Sequence, residues 1–162
     1  MKTPRANSPN FGKIVWNERM GPAANARRKL PGLISEYYAE VRRVLATDPE
    51  PPELHALRLA TKKVRYTLEL FRHCYSRGLK ERMEMLKSMQ QLLGDVNDCV
   101  ASAHLIRVTM PDTASRRRIE GFLHRQADLR AATVRKEWSE RFDAPGREEW
   151  WTRYLATTAK QP

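Results

Sequence analysis

The sequence predicts an all-α protein: an antiparallel four-helix bundle with short turns and a short C-terminal helix. Three observations carry that expectation. Apolar residues recur at helical spacing in four long segments, and turn-forming clusters punctuate the chain between them. No useful length of sequence alternates apolar with polar residues as a half-buried strand would.

Residues 1–20 are basic and rich in turn formers (Pro4, Asn7, Ser8, Pro9, Asn10, Gly12). They read as a flexible tail, with Phe11, Ile14, Val15 and Trp16 docking on a single helical domain over 21–160. A helical period runs from Ala23 to Ala46, with Leu30, Leu33, Ile34, Tyr37, Val41, Val44 and Leu45 on one face. Pro31-Gly32 interrupts it, so the regular helix is expected to start there, with Pro31 in a first-turn position. Asp48-Pro49-Glu50-Pro51-Pro52 is a turn leading into a second helix, which Arg77-Gly78 breaks off. The near-heptad seam of Leu86, Met89, Leu93, Val96, Val100 and Ala103 makes a long third helix to about Val108. Pro111-Asp112-Thr113 closes it and can cap a fourth helix, whose apolar positions are Ile119, Phe122, Leu123 and Leu129. Pro145-Gly146 then sets off a short helix bearing Trp150, Trp151, Tyr154 and Leu155.

The second helix, Leu54 to Arg72, holds the strongest functional signal. On a wheel of about 100° per residue, Leu57, Ala60, Val64, Leu68 and Phe71 form a core-facing stripe. His55, Arg58, Lys62, Arg65 and Arg72 gather about 120° round from it. Surface helices usually mix their charges, because like charges at i,i+3 and i,i+4 repel. Here only Glu69 relieves the row. Such repulsion is accommodated when an anion neutralises it. A row about 25 Å long is too long for one phosphate ester and suits a polyanionic chain.

Composition points the same way. With 30 Lys and Arg against 19 Asp and Glu, the net charge is +11, as in proteins that meet nucleic acid, acidic lipid or inorganic polyanion. Cys74 and Cys99 are far apart and read as buried free thiols of a reducing compartment. No apolar run approaches the roughly 20 residues of a membrane span. The N-terminus has no signal-peptide apolar segment, so a cytoplasmic protein is expected.

Gly94 and Asp98 stand four apart in the third helix, off its apolar seam. Gly94 either admits close approach of a neighbouring helix or is a tolerated surface glycine. Asn97 and Asp98 are placed to orient basic side chains of the neighbouring helix by hydrogen bonds.

Taken together, His55-x-x-Arg58, Lys62-Lys63-x-Arg65-Tyr66, Leu68-Glu69-Leu70-Phe71 and Gln91-x-Leu93-Gly94-x-x-x-Asp98 resemble the CHAD family, clearly so over Leu54 to Ile106. The resemblance implies a helical-bundle module that binds inorganic polyphosphate in a basic channel and has no catalytic machinery. It implies contacts from His55, Arg58, Lys62, Lys63, Arg65, Tyr66 and Arg72. The chain looks like the second of the two similar halves that make up a usual member. It carries one His-x-x-Arg basic helix where the family domain has two. The nearest second candidate, His124-Arg125 with Arg130 and Arg135, lacks the Lys-Lys-x-Arg-Tyr continuation. The opposite wall would then come from Arg27, Arg28 and Lys29, from Arg116, Arg117 and Arg118, or from a second copy in a homodimer.

Other chemistries are less well served. Glu69/His73 and Glu120/His124 have Glu-x-x-x-His spacing, one residue longer than di-metal bundles use, and lack the further carboxylates such sites need, so no metal is expected. No phosphate-binding loop, nucleophile elbow or zinc-ligand cluster occurs, so an enzyme and a cofactor are not expected. Nucleic acid is the serious competitor, since cation–phosphate pairing does not distinguish the two polymers. On the basic face, however, only Tyr66 could stack on a base, and no Asn or Gln reader lies in that helix. A structural protein docking an acidic partner is the third reading.

Overall fold

The computed structural model describes residues 14–160. It is all helical: α1 Pro22–Leu45, α2 Pro51–Leu70, a 3-10 turn Arg72–Cys74, α3 Gly78–Thr109, α4 Ala114–Glu137, a π turn Trp138–Phe142, and α5 Arg147–Thr157. Packing follows the order α4 on α3, α3 on α2, α2 on α1, and α1 on α5. Phe11 lies outside the described residues. Of the segment expected to dock, Ile14 packs on the core and Trp16 meets Phe71 at 5.1 Å, while Val15 is exposed.

Three boundaries differ from the expected ones. First, α1 runs straight through Pro31. The proline removes one backbone donor and crowds the preceding turn, yet Leu30, Leu33 and Ile34 around it are buried. Tertiary burial of about 1.5–3 kcal/mol per such side chain outweighs that loss. The helix begins at Gly21-Pro22, where buried Asn25 donates to the carbonyls of Asn17 and Met20 at 2.9 Å. Second, Pro51 and Pro52 belong to the first turn of α2, where a missing N–H costs nothing. The Glu53 carboxylate accepts the Glu50 N–H at 3.0 Å. Third, α2 ends at Leu70, so Arg72 stands in the 3-10 turn beyond it.

The expected core stripe of α2 is buried at Leu57, Ala60, Val64 and Leu68, and Phe71 is half-buried. Thr61 is also buried. Its hydroxyl donates to the Leu57 carbonyl at 2.8 Å and faces the Tyr37 hydroxyl at 3.0 Å, which joins α1 to α2. The α4 expectation is corrected. Ala127 and Val134 are its buried residues, Leu123 is half-buried, and Ile119, Phe122 and Leu129 are exposed. The face of α4 that carries Ala127 and Val134 is the buried one, which leaves the larger residues on its flank. Thr113 does cap the helix, accepting the Arg116 N–H at 3.1 Å.

Past Glu137 the helix widens into the π turn, and Trp138 and Phe142 stack at 5.2 Å inside the core. The Tyr38 hydroxyl donates to the Phe142 carbonyl at 3.0 Å. Gly146, at φ 78°, adopts the left-handed conformation that glycine tolerates and starts α5. The C-terminus then ties down the α2–α3 turn. Lys160 N–H donates to the Cys74 carbonyl at 2.8 Å, Tyr75 Oη to the Leu155 carbonyl at 2.8 Å, and Tyr154 Oη to the Ser76 carbonyl at 3.0 Å. Both cysteines are unpaired; Cys74 is buried, but Cys99 only half so.

Candidate functional site

The basic row of α2 faces α3. The contacts descend one helix as they climb the other, so the pair is antiparallel: His55 meets Asn97, Arg58 meets Gly94, and Arg65 meets Gln90. Each contact holds a cation-forming side chain beside a neutral group.

Arg58 is half-buried, and its Nε is shielded from solvent without a hydrogen-bond partner among the described residues. Gly94 makes room for it. A Cβ at that position would lie 3.5 Å from Arg58 Nε, in ordinary contact, and anything longer would displace the guanidinium. Gly94 is buried rather than a surface glycine, and what lies over it is a side chain rather than a helix backbone.

Arg65 donates from Nε to Gln90 Oε1 at 3.0 Å. Its guanidinium lies 4.4 Å from the Tyr66 ring centre, and Lys62 Nζ lies 5.6 Å from the same ring. Tyr66 is 46 % exposed and braces these cations, a cation–π role. Glu69 is 3.6 Å from Arg65 and half-exposed, a weak pair that a polyanion can displace. Lys63 is exposed and lies further round α2 than the row.

At the α2–α3 turn the row opens onto a cavity of about 630 Å³. Arg65, Arg72, Lys80 and Lys87 line it, with Glu69 and Glu84 between them. Lys80 and Lys87 are basic residues that reading α2 alone misses. The signal was present in the i, i+7 spacing Lys80–Lys87–Gly94, which puts both lysines on the Gly94 side of α3.

Asn97, expected to orient a basic side chain of the neighbouring helix, has its Oδ1 3.1 Å from His55 Nδ1. Asp98 is exposed on the same turn of α3. The candidate second walls lie elsewhere. Arg116 contacts Asp112 at 2.6 Å and Glu120 at 3.0 Å, and Arg117 contacts Asp112 at 2.7 Å. This α3–α4 corner, with exposed Arg118, is about 18 Å further along α3 than Asn97. Arg27 donates to the Ala159 carbonyl, Arg28 lies against Met20 Sδ, and Lys29 is half-buried on α1. Arg135 pairs with Asp48 at 2.7 Å. Neither trio is drawn to the Arg58–Arg65 row by these contacts.

The model of the CHAD domain matches residues 7–107. The chain belongs to the CHAD family. The match takes in α1, α2 and all but the last two residues of α3, together with seven residues of the expected tail, 7–13, that precede the described ones. The CHAD match is thus wider than the motif-bearing stretch and includes both helices that form the basic face. Neither a curated protein nor a solved structure matches the chain. No helix among the described residues is long and apolar enough to cross a membrane.

Proposed function

We propose that this CHAD-family chain is a non-enzymatic module that binds inorganic polyphosphate along the α2–α3 face. The observation that carries the reading is the set of cations converging there. Arg58 and Arg65 stand between the helices, Lys62 on the rim, and Arg72, Lys80 and Lys87 around the cavity at the turn. Arg58 holds a buried Nε–H with no partner among the described residues, and a buried unpaired donor is costly unless a ligand or water satisfies it. Arg can grip two phosphate oxygens at once, while Lys acts as a point charge on a flexible stem. The CHAD family's association with polyphosphate, as implied by the motif resemblance, supports the same ligand.

Nucleic acid is the alternative ligand. Titration with polyphosphate and with single-stranded DNA at equal phosphate concentration separates them. Polyphosphate is expected to displace DNA and not the reverse; displacement only by DNA overturns the proposal.

A homodimer belongs to the same reading. One basic face leaves a bound chain open to solvent, where attraction is screened over about 8 Å at physiological salt. A second copy presenting the same face would enclose it from both sides, in the two-fold arrangement commonest among oligomers. Repulsion between subunits of charge +11 makes that dimer dependent on ligand.

A further inference from the structure

The outer flank of α4 carries an apolar row that the fold leaves in solvent. Ile119, Phe122 and Leu129 are 40, 52 and 63 % exposed. With Gln126 they stand at i, i+3, i+7 and i+10, the alternating spacing of a coiled-coil seam, over about 15 Å of helix. This row is distinct from the face α4 uses in the fold. Ala127 and Val134 are buried there, roughly 110° round the helix from the row.

The row is flanked by cations. In heptad terms with Ile119 and Gln126 at a, and Phe122 and Leu129 at d, Arg118 and Arg125 fall at g and Arg130 at e. Arg118 and Arg125 are exposed. Arg130 donates to Gln126 Oε1 at 2.8 Å, which holds it beside the seam. The acidic residues of the segment are elsewhere: Glu120 is half-buried against Arg116, and Asp128 lies well round from the row. Positions e and g are where a docked helix meets its partner's flanking charges. A second copy of α4 would set arginine against arginine.

We propose that the α4 flank docks an acidic amphipathic helix of a partner protein, one with aliphatic residues at heptad spacing and Asp or Glu beside them. Leu, Ile or Val side chains of that helix cover Ile119, Phe122 and Leu129, and its carboxylates meet Arg118, Arg125 and Arg130. The surface is separate from the polyphosphate face. On α3, Gln90, Gly94 and Asn97 meet α2, whereas Ser88 hydrogen-bonds Glu137 of α4.

The test titrates the full chain into a labelled peptide of about three heptads, with leucine at a and d and glutamate at e and g. A second peptide carries lysine in place of glutamate. The glutamate peptide is expected to bind saturably at one per chain, and the lysine peptide about tenfold more weakly or worse. The double variant Phe122→Asp/Leu129→Asp should lose the peptide while keeping its circular dichroism and its polyphosphate binding, since both side chains are solvent-facing. The proposal is overturned if neither peptide saturates, or if the double variant still binds. It is overturned if Arg58→Gln/Lys62→Gln/Arg65→Gln removes the glutamate peptide, which would then be sitting on the α2 row. It is also overturned if the chain alone self-associates in sedimentation and the double variant abolishes that, which makes a second copy the occupant.

Discussion

His55 and Asn97 meet across the α2–α3 pair, with Nδ1 3.1 Å from Oδ1. An amide oxygen can only accept, so Nδ1 carries the hydrogen. The contact thereby fixes what the other ring nitrogen offers. In a neutral ring Nε2 is an acceptor and presents a lone pair to an anion; in the imidazolium it is a donor. His55→Ala, which removes the ring and its contact with Asn97, should weaken polyphosphate binding by about tenfold in calorimetry. An unchanged affinity in the variant would leave His55 as a packing residue.

Replacing Arg58, Lys62 and Arg65 together with glutamine should lower polyphosphate affinity by about tenfold or more, because phosphate neutralisation dominates such binding. Helicity should persist, since glutamine is a comparable helix former and repulsion along α2 is relieved. The log–log salt slope, set by roughly 4–6 contacts in the parent, should drop by about 2–3. Lys80→Gln/Lys87→Gln should give a smaller loss confined to the same slope. Calorimetry at three salt concentrations reads both effects, and an affinity indifferent to salt contradicts the electrostatic account.

Two glycines of α3 should respond oppositely to alanine. At Gly94 the added methyl sits 3.5 Å from Arg58 Nε and fits, so the gain in helix propensity, up to about 1 kcal/mol, should appear as a modest rise in Tm. At Gly78 the methyl would lie 2.7 Å from Tyr154 Cε2. That ring cannot easily yield. It stacks on Tyr75 at 5.5 Å, lies 3.9 Å from the Arg82 guanidinium, and its hydroxyl is bonded to the Ser76 carbonyl. Gly78→Ala should cost about 1–3 kcal/mol by thermal or denaturant melting. Equal responses would mean that α5 is not held against the α2–α3 turn as described.

Alkali should unfold the protein. Burial pushes the Tyr37 phenol well above its ordinary value of 10.0, and burial followed by the charge of neighbouring Tyr37 does the same for Tyr38. Unfolded tyrosines release protons that these hold, so their contribution is intact below about pH 10 and is lost as pH climbs above it. Arg82 works in the other direction. Burial beneath Trp150 and Tyr154 lowers it from 12.5 to about 10, so its unfavourable charge burial is relieved above that pH. Two fully buried phenols outweigh one arginine. Urea midpoints should therefore fall from about pH 9 to about pH 11, less steeply in Tyr37→Phe. A midpoint that rises over that range contradicts the balance.

Polyphosphate should drive self-association. Light scattering at low salt is expected to find a monomer alone and a dimer with a sub-stoichiometric long chain. A monomer that binds one short chain tightly without dimerising shows that a single face suffices.

Much of this molecule is legible in the residue order. Helical periodicity marks the long helices because the buried face of each, such as Leu57–Ala60–Val64–Leu68, repeats with the helix itself. The row His55–Arg58–Lys62–Arg65 is likewise a local pattern. The break at Gly146, where φ is 78°, follows from backbone chemistry, which acts within a few residues.

Contacts distant in sequence had to be decided by packing. Pro31 reads as a helix start, yet burial of its neighbours carries α1 through it. Ile119, Phe122 and Leu129 have the composition of a core, but α4 buries Ala127 and Val134 in their place. Arg82 looks like any surface arginine until α5 brings Trp150 to within 3.3 Å of its guanidinium. Lys80 and Lys87 join Arg65 and Arg72 only through the register of α3 against α2. A period along one helix states which residues share a face; which face meets which neighbour depends on the summed fit of all the side chains, and that exists only in three dimensions.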